Sequence, residues 1–277
     1  MSNHLLIEKL AVMPNFGEVL DRFNATEGMP EIKTFFANYR NPIGVEIEAE
    51  GITDEVSTMK FWGDKDDGSL RNHGREFVSK PLCGRQIDYA LYEIEQELKR
   101  FKRLSWSVRT SIHVHQNMAG FRENQLMAYC MVYGLFEPLF YGLCDPHRQA
   151  NAFCYPATNL EPSDFASIHD HNKYCGLNLY PLRRYGTVEW RQMSGTNDFK
   201  LIRRWIQLIV KLHAWVDKQD SKKVIENVLS FIDRGAFVPL VQEVFGANAA
   251  LFRPEDIEAS GKANALWSVC LSTREFS

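Results

Sequence analysis

Residues 43–50, IGVEIEAE, alternate apolar side chains (Ile43, Val45, Ile47) with Gly44, Glu46 and Glu48. A period of two is that of a half-buried strand, here with an acidic face. Residues two apart on a strand point the same way, roughly 6.5–7 Å from each other, so Glu46 and Glu48 can reach two neighbouring sites. Two later segments repeat the pattern. In 111–116, SIHVHQ, His113 and His115 share one face and Ile112 and Val114 the other; in 186–191, GTVEWR, Glu189 and Arg191 project together. Taken singly, each has a plain reading as a solvated strand face, a pair of surface histidines or a same-face ion pair.

The intervening sequence sets the expected order of elements. Gly63, Asp64, Asp66, Asp67, Gly68 and Ser69 read as a polar loop, leading to a short strand at 75–79 that Pro81 stops, with Glu76 and Arg75 on opposite faces. Ile87, Leu91, Ile94 and Leu98 predict a helix over about 84–103, followed by a strand over 107–116. A strongly apolar helix over about 122–144 contains Gly134 and Pro138, which predict a kink or interruption. Residues 145–172 read as loop, 176–182 and 187–193 as a hairpin about a turn at 183–186, and about 198–219, 222–233 and 236–245 as helices before a weaker tail. Residues 1–38 read as a lead-in without chemistry. No repeat or linker divides the chain, so 1–277 is expected to form one α+β domain with a helical C-terminal part from 197, its sheet mostly antiparallel and its helices on one face.

Composition limits the function classes. A chain of 277 residues with 45% hydrophobic and 24% charged residues buries roughly 75% of its unfolded surface and needs no covalent staples. A net charge of -3 provides no broad footprint for nucleic acid, and Lys99, Arg100, Lys102 and Arg103 read as the solvated end of a helix. No segment is long and apolar enough to span a bilayer, and Glu8 and Lys9 interrupt the first residues. The expectation is a cytoplasmic protein whose six cysteines, which form no CxxC pair, are reduced.

Charge gives the motifs a joint meaning. If the strands are neighbours, Glu46, Glu48, Glu76 and Glu189 lie on one sheet face. Carboxylates about 4 Å apart repel by roughly 4 kcal/mol at an effective dielectric of 20, so such a face needs cations. Carboxylate oxygens with an occasional imidazole suit Mg²⁺ or Mn²⁺, which are commonly shared with substrate phosphates. Arg191 beside Glu189 can neutralise phosphate oxygens during transfer.

In order, GVEIEAEG, DDGSL, REFVSKPL, SIHVHQN, HRQANAFCYP, GLNLYPL and GTVEWRQMSGT resemble the carboxylate–amine ligases of the glutamine synthetase and glutamate–cysteine ligase superfamily, in particular the amidoligase family. The resemblance spans about residues 44–196. It implies a glutamine synthetase-like catalytic domain, with ATP and two Mg²⁺ or Mn²⁺ ions. By that likeness Glu48 and Glu76 hold the metal nearer the acceptor substrates, and Glu46, His113 and Glu189 hold the metal on the nucleotide phosphates. His115 and Arg191 contact phosphate, and Asp67 takes a proton from the incoming amine. Arg148 and Lys173, on the nucleotide side, and Asn151 and Asn178, on the substrate side, resemble recurrent polar positions of the family. The implied partners are an amine and a carboxylate, small molecules or peptides. The sequence departs from glutamine synthetases in showing two acceptor-side metal carboxylates instead of three and no recognisable β-grasp-like domain, which leaves the oligomeric state open.

Three other readings compete. One is a structural zinc held among Cys144, His147, Cys154, His169, His171 and Cys175. Another is a hydrolase using His113 and His115 as metal ligands, and the third a non-catalytic binding protein.

Overall fold

A computed structural model describes residues 29–276. Six strands build one open sheet: β1 (Ile43–Ala49), β2 (Trp62–Asp66), β3 (Arg75–Ser79), β4 (Ser111–Asn117), β5 (Leu177–Asn178) and β6 (Thr187–Ser194). Their order is β2-β3-β1-β4-β6-β5, and every pairing is antiparallel. The chain is therefore α+β. One face carries Val45, Ile47, Phe77, Ile112, Val114, Val188 and Trp190, all fully buried; the strand period places the acidic and imidazole side chains on the other.

The helices are α1 (Arg85–Leu98), α2 (Glu123–Tyr141), α3 (Pro162–Ala166), α4 (Leu182–Tyr185), α5 (Phe199–Asp217), α6 (Val224–Asp233), α7 (Phe237–Phe245) and α8 (Pro254–Leu271). Every residue of α2 except Asn124 and Pro138 is buried, as expected of a helix enclosed on all sides. Tyr129 and Tyr133 meet Trp190 of the sheet edge-on, while α8 covers the opposite side.

The kink expected in α2 does not interrupt it. Proline at 138 removes the N–H that would bond to the carbonyl of Gly134, and Asn264 Nδ2 of α8 donates to that carbonyl instead, at 2.9 Å. Gly134 is required by the same contact, since a Cβ there would stand 2.3 Å from the Trp267 ring. The stretch expected to be a weak tail contains α8, a helix of 18 residues. It docks through small and polar groups, with Ser260 Oγ and Ser268 Oγ donating to the carbonyls of Leu135 and Met131 at 2.7 and 3.0 Å, so its apolar stripe is weak.

Two further expectations are corrected. Residues 62–66, read as loop, form edge strand β2. Their polar texture is that of a charged sheet edge, and Asp64 and Asp66 pair with Arg75 of β3 at 3.3 and 3.1 Å. The hairpin keeps only a two-residue β5, after which the chain turns through α4. The lead-in expected over 1–38 falls mostly outside the described residues; 29–38 form no helix or strand. All six cysteines are free thiols, and among the described residues no helix is long and apolar enough to cross a membrane.

His213 of α5 makes a stability prediction. Burial pushes its pKa down to about 3, while Phe121 stacks on the ring at 4.5 Å and Asn41 Nδ2 lies 2.7 Å from Nε2. The unfolded chain takes up a proton near pH 6.5 and the folded chain does not, so stability is full above that pH and is lost as pH falls towards 3. The slope is at most about 1.4 kcal/mol per pH unit. His213→Phe is expected to flatten this acid limb in urea titrations at pH 4 to 7.

Candidate metal centre

Cross-strand partners share a sheet face, and the register brings the motifs together. Glu46 lies opposite both Val78 and His113, Glu48 opposite Glu76, and Glu189 opposite both His115 and Asn178. Strands β3, β1, β4 and β6 thus carry Glu76, Glu46, Glu48, His113, His115 and Glu189 side by side. An irregularity between β4 and β6 shapes the row. From Ile112 to Val114 strand β4 advances two residues, while β6 advances three from Trp190 to Met193, so β6 holds one extra residue, a β-bulge. Glu189 and Arg191 stay on the acidic face as Met193 turns to the core beside Ile112.

Arg148 secures that bulge. It is 3% exposed, and its Nε and Nη2 donate to the carbonyls of Gln192 and Arg191 at 2.9 and 2.6 Å. Arg148→Ala strips the buried Gln192 carbonyl and the half-buried Arg191 carbonyl of these donors, at an expected cost of about 2–4 kcal/mol, to be read in urea unfolding at constant m-value. No loss of stability would mean that the bulge is held by other contacts.

The carboxylates and imidazoles converge closely. His113 Nδ1 is 3.3 Å from both Glu46 Oε2 and Glu189 Oε1. His115 Nε2 is 3.4 Å from Glu46 Oε1 and 4.0 Å from Glu189 Oε1. Ser111 Oγ donates to Glu48 Oε2 at 2.6 Å and lies 2.8 Å from His113 Nε2. The hydroxyl has one hydrogen, committed to Glu48, so Nε2 of His113 must carry the proton of that second bond. In a neutral ring Nδ1 is then a bare lone pair facing two carboxylates. Arg191 already pairs with Glu189, but Glu46 and the Nδ1 lone pair still favour a further cation, either a proton on Nδ1 or a metal ion.

The spacing suits a metal. Neighbouring ligands of an octahedral ion with bonds of about 2.1 Å lie about 3.0 Å apart, so the contacts of 3.3, 3.4 and 4.0 Å close by up to about 1 Å around an ion. Glu46, His115 and Glu189 offer ligand atoms within 4.8 Å of one another, and it is the three-ligand group present among the described residues. Glu48 and Glu76 face each other in register without a third ligand joining them there.

Electrostatics agrees with a cation-hungry centre. Burial pushes the Glu46 carboxyl upward, but the hydrogen bonds and charges of His113 and His115 overcome it and hold it well below the usual range. Glu189 is likewise raised by burial and then brought below its ordinary value by Arg191, His113 and His115; Arg191 Nη1 donates to its Oε1 and Asn178 Nδ2 to its Oε2 at 2.6 Å. Burial lowers His115, but Glu46 and Glu189 raise it further. Glu76 is pushed up to about 7 by burial and the charge of Glu46, against Lys65, whose Nζ is 2.9 Å from Glu76 Oε2.

Two cavities open on this face. One of about 600 Å³ is lined by Pro42, Gly44, Glu46, Val78, His115 and Tyr185 among others. The second, about 450 Å³, is lined on the other side by Glu48, Asp67, Ser111, His113, Arg148 and Arg191 among others. Glu46 and His115 line the first and Glu48 and His113 the second, so the row of carboxylates and imidazoles borders both.

The remaining expected residues fall in distinct places. Asp67 reaches the smaller cavity, its Oδ1 accepting from the Ser69 amide at 2.7 Å. Asn151 borders the same cavity, and its Oδ1 accepts from the Phe153 amide at 2.8 Å. Lys173 lines neither cavity and pairs with Asp170 at 3.3 Å. Three neighbours escaped sequence reasoning. Ser111 sits two before His113 and was within reach of the period-two argument; Thr187 stands 3.0 Å from His115 Nδ1; Lys65 belongs to the unrecognised strand. Of the cysteine and histidine set between 144 and 175, the described side chains form no three-ligand group. No family model and no curated protein matches this chain.

Proposed function

We propose that this chain is an ATP- and divalent-metal-dependent carboxylate–amine ligase, built on a glutamine synthetase-like catalytic sheet. The observation that carries the reading is the three-ligand group of Glu46, His115 and Glu189, with His113 Nδ1 3.3 Å from both carboxylates, Arg191 on Glu189 and a cavity on either hand. A site with one mouth suffices for hydrolysis by water; two mouths meeting at a phosphate-suited centre serve transfer between two bound molecules.

In this reading Glu46, His115 and Glu189, with His113 beside them, would hold Mg²⁺ or Mn²⁺. The cavity at Gly44 and Val78 takes the nucleoside, with the Arg184–Tyr185 pair, 5.0 Å from guanidinium to ring centroid, at its rim as a surface for a planar base. A metal bound there supplies positive charge to the phosphate oxygens. Arg191 adds a guanidinium where negative charge grows as the substrate carboxylate takes the γ-phosphoryl group and ADP departs. The amine then displaces phosphate from the acyl phosphate, and Asp67, on the wall of the second cavity, takes its proton. Glu48 and Glu76 complete the acidic row on that side.

The test is release of ADP from ATP and Mg²⁺ in the presence of pooled amines and carboxylates, with Glu48→Ala as control. Substrate-dependent release, reduced on the order of 100-fold in the control, is the expected result. Absence of release across broad pools, or turnover of an amide without ATP, overturns the ligase reading, and the second outcome establishes a hydrolase.

A further inference from the structure

Part of the wall of the smaller cavity is apolar and exposed. Few large apolar side chains among the described residues remain exposed, and two of them, Val108 at 61% and Phe153 at 58%, line this one cavity. Neither is loose. The Phe153 amide donates to Asn151 Oδ1 at 2.8 Å, its carbonyl accepts from Arg191 Nε at 3.2 Å, and its ring meets Tyr174 edge-on with centroids 5.3 Å apart. Asn151 Nδ2 reaches the Val108 carbonyl at 3.5 Å, so one asparagine ties both apolar residues together. Arg191 in turn ties that wall to Glu189 of the metal centre.

An exposed aromatic side chain kept rigid by its surroundings loses little freedom when a ligand covers it, which is the physical character of a binding anchor. Its neighbours specify what else the ligand carries. Arg109 and Arg191 lie on the same cavity, so the group nearest the apolar wall finds guanidinium partners and is best matched by a carboxylate. The volume of about 450 Å³ falls within the roughly 300–1,000 Å³ that encloses organic ligands of moderate size. A small acidic amino acid leaves Phe153 and Val108 in water.

Resting on the ligase reading, we propose that the carboxylate substrate is an acyl-amino acid or short peptide whose C-terminal residue bears an apolar side chain, seated against Phe153 and Val108. The terminal carboxylate oxygen forms a bond to the γ-phosphorus of ATP as the bond to ADP breaks. An amine nitrogen then attacks the acyl carbon, inorganic phosphate leaves, and the nitrogen gives up a proton.

Hydroxylamine as a generic amine makes the choice of carboxylate measurable, because each acyl phosphate yields its hydroxamate. The probes are N-acetylglycine, N-acetylaspartate, N-acetylleucine and N-acetylphenylalanine with ATP and Mg²⁺. The apolar pair is expected to exceed the other two at least about 10-fold in kcat/KM. Phe153→Ser should lower the ratio of N-acetylphenylalanine to N-acetylglycine about 10-fold, and Val108→Ser should lower it in the same direction from an exposed position that folding does not need. Hydroxamate formed equally well from N-acetylglycine or N-acetylaspartate overturns this inference and leaves the ligase reading standing. If a folded, Mn²⁺-binding protein forms neither hydroxamate nor ADP with any carboxylate, both fall together.

Discussion

Glu189→Gln is expected to remove metal binding and destabilise the protein at the same time. The carboxylate accepts from Arg191 on one oxygen and from Asn178 on the other, and its Oε1 also faces His113 and His115. Glutamine has a single oxygen for these two donors. In either orientation of its amide, an N–H meets Asn178 or Arg191 head-on. The substitution further leaves the Arg191 guanidinium and two imidazoles short of a negative partner in a buried setting, a change that costs about 2–4 kcal/mol. Mn²⁺ affinity, read by titration calorimetry, should fall at least about 100-fold, and ATP turnover on the order of 1,000-fold. Unchanged Mn²⁺ binding in Glu189→Gln would remove Glu189 from the ligand set.

The centre was legible to the extent that local periodicity could reveal it. Within one strand the period of two decides which residues share a face, so Glu46 with Glu48, His113 with His115, and Glu189 with Arg191 follow from spacing alone. Which strands are neighbours, and in what register, depends on pairings between residues tens of positions apart. The bulge in β6 lies beyond any period-two argument, since strict alternation places Met193 on the acidic face with Arg191, whereas it is buried beside Ile112. Arg148 illustrates the same limit: sequence likeness marks it as a polar position, but its two hydrogen bonds to bulge carbonyls exist only once β6 is irregular.

Elements with weak patterns were lost for physical reasons. Beyond the buried Trp62, strand β2 is polar on both sides because it closes an edge, where charges prevent further pairing, and Lys65 is hidden with it. Helix α8 packs through Ser260, Asn264 and Ser268 against α2 and through Gly261 against Phe237 of α7, so its sequence shows little of the apolar stripe that identifies a helix. Phe153 and Val108 have the opposite problem. Their apolar side chains suggest a core, and only the folded chain shows that they stand exposed on a cavity wall.

Glu76→Gln is expected to impair metal binding as well, yet to stabilise the metal-free protein. Burial and the charge of Glu46 push the Glu76 carboxyl up to about 7 from its ordinary 4.5, so the folded state holds a proton that the unfolded state has released. Stability from this group is full below pH 4.5 and is lost as pH rises through 7. A shift of that size corresponds to a ceiling of about 3 kcal/mol; with solvent and Lys65 screening the charge, a gain of about 1–2 kcal/mol for Glu76→Gln at pH 8 is expected. The slope opposes that of His213, whose loss of stability comes on the acid side, and the two single variants separate them in melting curves from pH 4 to 8. Metal reverses the sign, because a divalent ion converts the repelling carboxylates into ligands. Mg²⁺ should therefore raise the wild-type Tm more at pH 8 than at pH 5.5, and raise that of Glu76→Gln less at both. A metal-free Glu76→Gln protein that melts below wild type at pH 8 would show that Glu76 acts as the structural partner of Lys65 and not as a carboxylate held ready for a cation.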